Sequence, residues 1–561
     1  MRLRPLTIIC ALSVVSLAPF CGKAFHVDDP FYIRVAQHIT HDPFDYYDLK
    51  INWYGRSMNV YDMHVSPPLV PYLLAAWGTL FGWSEMSLHL AYLIMACLLM
   101  ASTCAVASRF CEHPLLAGVI TLWSPVVMVT STNIMLDLPM TAFFVAAIAL
   151  WCEGVESKRG SLLVLAGVAA GASAMCKYFG LAFVPLAFAF ALARRKSVGT
   201  WILPLAIPLA LFGLEQASNY ALYGRSIFAN AIDIATDKQS GMAIRISSAL
   251  SFSGGCVIGL LAFSYFMRPA RFLFRTLLVL LGITASATGI IVYAVRDEAL
   301  PAASLAQIVP FVCGGSILLL LVLDELYSVR TPASLLLAFW VLGTFVFASV
   351  LNWSVTARTL LPMAPAIAIL IVRRIERVQR ATQSDPRSYW VPVAVCLAIS
   401  MAVGWADYVW AGSIRSTAAA YAKEAKLRPG TPYFQGHWGW QYYLEEAGWN
   451  GVDRNSFSYQ SGDYVVMPQN NANVDPIPAQ SVYGTAKTEV VATRGLTVNC
   501  RPVGAGFYSD IYGPLPYVFG NVPPDTYYVV LLGPPKNAAG SPPDNPALEP
   551  GTVNRSGSGY K

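Results

Sequence analysis

Two adjacent carboxylates, Asp28-Asp29, stand just past the first hydrophobic segment and directly before Pro30. A carboxylate at a membrane exit can take a proton from a hydroxyl at the bilayer surface. The loop around them is dense in polar groups: His26, Tyr32, Arg34, His38, His41, Asp42, Asp45, Asp48, Arg56, Asp62 and His64. Later, Asp137 (in Leu136-Asp137-Leu138-Pro139), Lys177-Tyr178 and Arg358 each flank an apolar run. Two cations at one membrane depth, Lys177 and Arg358, suit a lipid phosphate: one is a compact ammonium, the other a planar fork.

Each of these residues also has a plain structural use. Asp29 suits the N-cap of a helix whose first residue is Pro30, which leaves Asp28 free to face a cavity. Asp137 suits a helix start in the same way. Lys177 and Arg358 can snorkel as interfacial anchors. The four loop histidines (His26, His38, His41, His64) could take a metal, but their spacings match no specific site, so a divalent metal stays open and no other cofactor is indicated.

The elements that must position these groups are membrane helices. Of the 561 residues, 55% are hydrophobic and only 12% charged; soluble domains carry about 25% charge. The mean hydropathy is +0.50. The net charge of +6 is spread over short groups between apolar runs, which argues for membrane topology and against a nucleic-acid partner. The eleven cysteines are scattered without metal-like spacing and read as small apolar residues. A Cys21–Cys500 disulfide is left as an open question.

The first apolar run, Ile8 to Phe20, follows Arg2 and Arg4 and reads as an uncleaved first span with its N-terminus inside. Twelve further spans are centred near residues 97, 123, 145, 168, 186, 208, 257, 283, 313, 342, 366 and 399, about thirteen in all. Under this count Arg109, Lys158-Arg159, Arg194-Arg195-Lys196, Arg268/Arg271/Arg275, Arg330 and Arg373-Arg374/Arg377/Arg380 fall on the cytoplasmic side, the positive-inside pattern. The loop 23–87, the loop 218–246 and everything past about 410 fall outside. Pro67-Pro68-Leu69 starts a short amphipathic helix ending near Gly82, suited to lie on the outer leaflet. The division is therefore a membrane domain at 1–410, an extracytoplasmic α/β domain at 411–533 with strands near 464–467, 488–492 and 527–532, and a disordered Pro/Gly/Ser/Asn-rich tail at 534–561.

The cytoplasmic connections are too short to form a domain, so any chemistry lies in the membrane or on its outer face. The chain has no P-loop, no strand-linked GxGxxG and no Asp-x-Asp. An activated donor for a transferase would have to arrive in the bilayer.

These motifs, in this order, resemble the GT-C integral-membrane glycosyltransferases, in particular the dolichyl-phosphate-mannose–protein mannosyltransferases and the bacterial aminoarabinose (lipid A) transferases. The resemblance runs over about residues 5–450. It rests on Asp28-Asp29 with Tyr32, Pro67-Pro68-Leu69, Asp137-Leu138-Pro139, Lys177-Tyr178, Arg358-Thr359-Leu360-Leu361-Pro362, and Gly436 to Leu444. It implies an all-α polytopic membrane protein of GT-C fold with a C-terminal extracytoplasmic α/β domain, in a bacterial inner membrane with its site facing the periplasm. It implies inverting transfer of a sugar from a polyprenyl-phosphate donor to a hydroxyl on a lipid, glycan or protein. Asp28 and Asp137 are the expected catalytic residues; Asp29, Tyr32, Lys177, Tyr178, Arg358 and His64 are the expected substrate contacts. The alternative is a transporter or flippase of lipid-linked sugars, though the chain lacks the internal repeat such proteins often show.

Overall fold

The computed structural model describes residues 3–236, 240–267, 273–383 and 389–533. The tail at 534–561, together with Arg268 and Arg271, lies outside the described residues. Within them the chain is a mostly helical membrane bundle followed by a mixed α/β segment, the class expected. Eight of the described helices are long and apolar enough to cross a membrane: Glu85–Phe110, Asp137–Ser157, Tyr178–Arg195, Thr200–Tyr223, Thr276–Ala294, Ala302–Ser328, Pro332–Leu351 and Trp390–Ala425.

All thirteen expected centres fall on a helix or at a junction between two. Of the other five expected spans, the first helix, Leu3–Leu17, and Gly160–Cys176 are unbroken but shorter, and three have local causes. Ser124-Pro125 splits the stretch near 123 into Pro114–Leu122 and Pro125–Thr130, because proline has no N–H to continue the ladder. The stretch near 257 breaks at Val257, between Met242–Cys256 and Gly259–Ala262. The helix Ala364–Thr382 carries charge along its second half. There Arg373 and Arg377 pair with Glu325 at 2.7 and 2.8 Å, and Arg374 pairs with Asp324 at 2.9 Å.

Small residues let the bundle close. Helices Met242–Cys256 and Ala302–Ser328 cross at Gly254, Gly314 and Gly315; a Cβ at Gly315 would stand 2.1 Å from the Leu250 carbonyl oxygen. The loop 23–87 is structured throughout. It holds helix Asp29–His41, the hairpin Lys50–Asn52/Ser57–Asn59, and helix Leu69–Phe81. That last helix begins after Pro67-Pro68, as expected, and stops at Gly82, whose φ of 88° only glycine adopts without strain.

The C-terminal segment forms a five-stranded sheet in the order Asn450–Gly451, Pro432–Phe434, Tyr464–Pro468, Asp525–Leu532, Val482–Val490. The first three strands run parallel, and the fourth runs antiparallel to both its neighbours, with Val530 opposite Val465 on one side and Thr485 on the other. The 36-residue helix Trp390–Ala425 runs unbroken past residue 410 into this segment. Tyr517 and Pro514 hydrogen-bond the membrane helix Met242–Cys256 through Gly255 and Ser251 at 3.0 and 2.8 Å. The sheet segment is thus docked onto the bundle. Cys21 and Cys500, the pair left open above, are both free thiols.

Candidate active site

Bundle, first loop and C-terminal segment enclose one cavity of about 2240 Å³. That is well above the 300–1,000 Å³ usual for a small-ligand site. Asp28, Tyr32, His64, Asp137, Lys177, Tyr178 and Arg358 all line it. The four charged ones each sit where an element breaks, and Tyr32 lies in the first turn of helix Asp29–His41. Asp28 occupies the cap position of helix Asp29–His41 and makes no capping bond, so its carboxylate is free to turn inward. Asp137 opens helix Asp137–Ser157. Lys177 lies in extended backbone between helix Gly160–Cys176 and a short 3₁₀ turn. Arg358 is in a single helical turn, Ala357–Leu360.

The four charges form two ion pairs. Arg358 Nη1 donates to Asp28 Oδ2 at 2.5 Å and Lys177 Nζ to Asp137 Oδ1 at 2.7 Å. Arg358 Nη1 also meets the Met135 thioether at 2.9 Å. The quartet is formally neutral. Tyr32 stands among these groups: burial raises its phenol pKa well above the usual range, and the charges of Asp28 and Asp137 add to this against Arg358. Tyr178 donates to Glu215 Oε1 at 3.1 Å and accepts from Gln216 at the same distance. His64 is buried against Phe31 and Tyr47, and burial pushes its imidazole down to about 3, so the ring is neutral.

Asp29, expected as a substrate contact, is not among the residues that line the cavity. It is wholly buried, and both its oxygens accept backbone N–H groups, from His26 at 2.9 Å and from Ile134 at 2.7 Å. It is also the first helical residue, not the cap, so Pro30 is second; Asp137 is likewise inside its helix, with Leu136 at the cap. The four loop histidines are spread out: His26 is fully buried, His38 bonds the Asp45 carbonyl at 2.7 Å, His41 is exposed, and His64 is at the cavity. Among the described residues no group of three or more His, Cys, Asp or Glu is placed to hold a metal.

Asp29 supports a pH test. Burial pushes its carboxyl up to about 7, against the pull of Lys23 and of the two N–H donors. A carboxyl raised by folding contributes stability that is full below the unfolded value near 4 and is lost as pH rises through about 7. Asp29→Asn has no such proton. It should cost about 1–3 kcal/mol, because its amide nitrogen faces a backbone N–H. The melting temperature of the unaltered protein should also fall relative to the variant between about pH 4 and about pH 7. Parallel melting curves would contradict this.

The cavity changes character along its length. One end is apolar, between helices Phe183–Arg195 and Pro332–Val346, with Leu186, Ala189, Phe339 and Phe347 on its wall. The other end is polar and aromatic, built from Trp53, Tyr54 and Arg56 of the hairpin and from Asn470, Tyr508 and Tyr512 of the C-terminal segment. Those last three were missed in the sequence, where nothing sets them apart from other loop residues.

The class defined by these features is an integral membrane protein with a charged, two-ended cavity. A family model described as dolichyl-phosphate-mannose-protein mannosyltransferase matches residues 65–215. The match takes in Pro67-Pro68-Leu69, Asp137 and Lys177; Asp28 and Arg358 lie outside it. No match is found among curated proteins. Among solved structures, the chain is similar to ArnT from Cupriavidus metallidurans bound to undecaprenyl phosphate, at 15% identity and a TM-score of 0.42, over 84% of this chain and 94% of that one. It is similar to the Archaeoglobus fulgidus oligosaccharyltransferase in complex with Zn and sulfate, at 13% identity and a TM-score of 0.44, over 83% and 68%. It is also similar to the arabinofuranosyltransferase AftD from Mycobacteria, at 12% identity and a TM-score of 0.37, over 95% and 40%.

Proposed function

We propose that this chain is a membrane glycosyltransferase of a bacterial inner membrane, moving a sugar from a polyprenyl-phosphate donor to an acceptor hydroxyl on the periplasmic side. The observation that supports this reading is the meeting of the Asp28–Arg358 and Asp137–Lys177 pairs in one cavity with an apolar end. The apolar end suits a polyprenyl chain. The polar end suits an acceptor, whether lipid, glycan or protein.

The reaction needs one proton acceptor and stabilisation of one leaving group. The acceptor oxygen forms a bond to the anomeric carbon and loses its proton to Asp28. The bond from that carbon to the phosphate oxygen breaks, and the polyprenyl phosphate leaves with the electron pair. Lys177 and Arg358 meet the charge that grows on it. Attack opposite the leaving group inverts the anomeric centre. Asp137 acts by holding Lys177. In the free protein each cation is neutralised by its acid. An arriving phosphate competes for Lys177 and Arg358, and this frees Asp28 to act as base. Tyr32, Tyr178 and His64 face the sugar as neutral hydrogen-bonding groups.

The test is reconstitution of the purified protein in liposomes with a panel of polyprenyl-phosphate-linked sugars. The expected result is loss of sugar from one donor and release of free polyprenyl phosphate. Movement of intact donor across the bilayer, with no cleavage, would replace this reading with a flippase.

A further inference from the structure

Val27, immediately before Asp28, has a φ of 48°. A β-branched residue is strained there, and such strain persists only where the surroundings over-determine it. The residues on both sides of Val27 are in fact held. On the N-terminal side, the buried Lys23 ammonium donates to Asp407 and to Asn133. Tyr508 closes the ring: its hydroxyl donates to Asp407 Oδ1 at 2.7 Å and accepts from Asn133 Nδ2 at 2.9 Å. The Phe25 N–H donates to the Tyr443 hydroxyl at 2.8 Å. The His26 ring is boxed edge-on by Trp410 at 4.3 Å and Tyr508 at 5.6 Å. On the other side, Ile134, next to Asn133, donates its N–H to Asp29.

Lys23, Asn133, Asp407 and Tyr508 are all buried, and Asp407 lies inside a candidate membrane span. An ionisable residue at such a place is costly and marks a function by default. The reaction proposed above gives none of these four a step, although Tyr508 also lines the polar end of the cavity.

We infer that the Lys23–Asp407–Tyr508–Asn133 ring is a positioning device: it holds the Lys23–Asp29 turn in the strained form that aims Asp28 at Arg358. Tyr508 comes from the C-terminal segment, so that segment completes the site as well as covering it. The inference rests on the reading of Asp28 as the proton acceptor.

A purely structural ring behaves differently from a positioning one. Replacing a buried pair with apolar residues often restores stability, whereas removing one partner does not. The test uses Tyr508→Phe, Asp407→Asn and the double variant Lys23→Met/Asp407→Leu, in the full chain with whichever donor the unaltered protein cleaves. Tyr508→Phe should lower kcat about 10- to 100-fold, the scale of a small misplacement of a reacting group, with donor KM little changed. The double variant should regain the melting temperature lost in Asp407→Asn while its kcat stays low. If Tyr508→Phe is not recovered folded, the double variant carries the test alone. Unchanged kcat in folded Tyr508→Phe, or recovery of kcat together with melting temperature in the double variant, would overturn the inference and leave the proposed function standing. Failure of the unaltered protein to cleave any donor would overturn both.

Discussion

Asp28→Asn is expected to lower kcat by roughly 10²–10⁴-fold, the range general-base removal spans, with melting temperature nearly unchanged and donor KM no higher, because the charge that competes with the phosphate for Arg358 is gone. The amide keeps the carboxylate's shape, and its oxygen can still accept from Arg358 Nη1, which stands 2.5 Å from Asp28 Oδ2. What it lacks is the ability to take a proton. The neighbouring Asp29→Asn should give the opposite pattern, a stability loss with chemistry largely kept in the folded fraction, because Asp29 is buried on backbone donors away from the cavity. Steady-state kinetics and thermal melts on both variants separate these roles. Full activity in folded Asp28→Asn would remove it as the base.

Arg358→Gln should cost about 10²–10³ in kcat, comparable to removing one preorganised donor from a developing oxyanion. Donor KM should rise as well, because the phosphate is charged before and after transfer. Arg358→Lys should rescue little. Lysine offers a point charge where the planar guanidinium presents two N–H groups side by side to a phosphate. Lys177→Gln should fall in the same range but leave Asp28 paired. Kinetics on a donor series check this: if both cation variants keep normal kcat and KM, the phosphate does not bind between them.

Much of this arrangement was legible in the sequence, for physical reasons. Pro67-Pro68 and Gly82 bound the short helix because proline starts helices and glycine stops them. Asp137, Lys177 and Arg358 stood out as charges at the ends of apolar runs, where only helix breaks can place them. The strands around Tyr464, Thr488 and Tyr527 showed as β-branched and aromatic runs, and all three lie in one sheet. What the sequence did not show is pairing at long range. Asp28 and Arg358 are 330 residues apart, and nothing local says that they touch. The same gap hid the ring of Lys23, Asn133, Asp407 and Tyr508. Asp407, a lone acid within an apolar run, was the one signal that pointed to it. Asp28 and Asp29 look alike in sequence, while the helix start turns one toward the cavity and the other inward onto backbone donors. Hydropathy alone does not show the break at Ser124-Pro125 or the charged half of Ala364–Thr382, where two expected spans are not single long apolar helices.

The central claim is that Lys177 and Arg358 hold a polyprenyl phosphate beside Asp28. Equilibrium binding of undecaprenyl phosphate to the purified protein and to Lys177→Gln/Arg358→Gln tests it most directly. The account predicts binding by the unaltered protein and a loss of at least about tenfold in the double variant. Equal affinity in two folded proteins would contradict it.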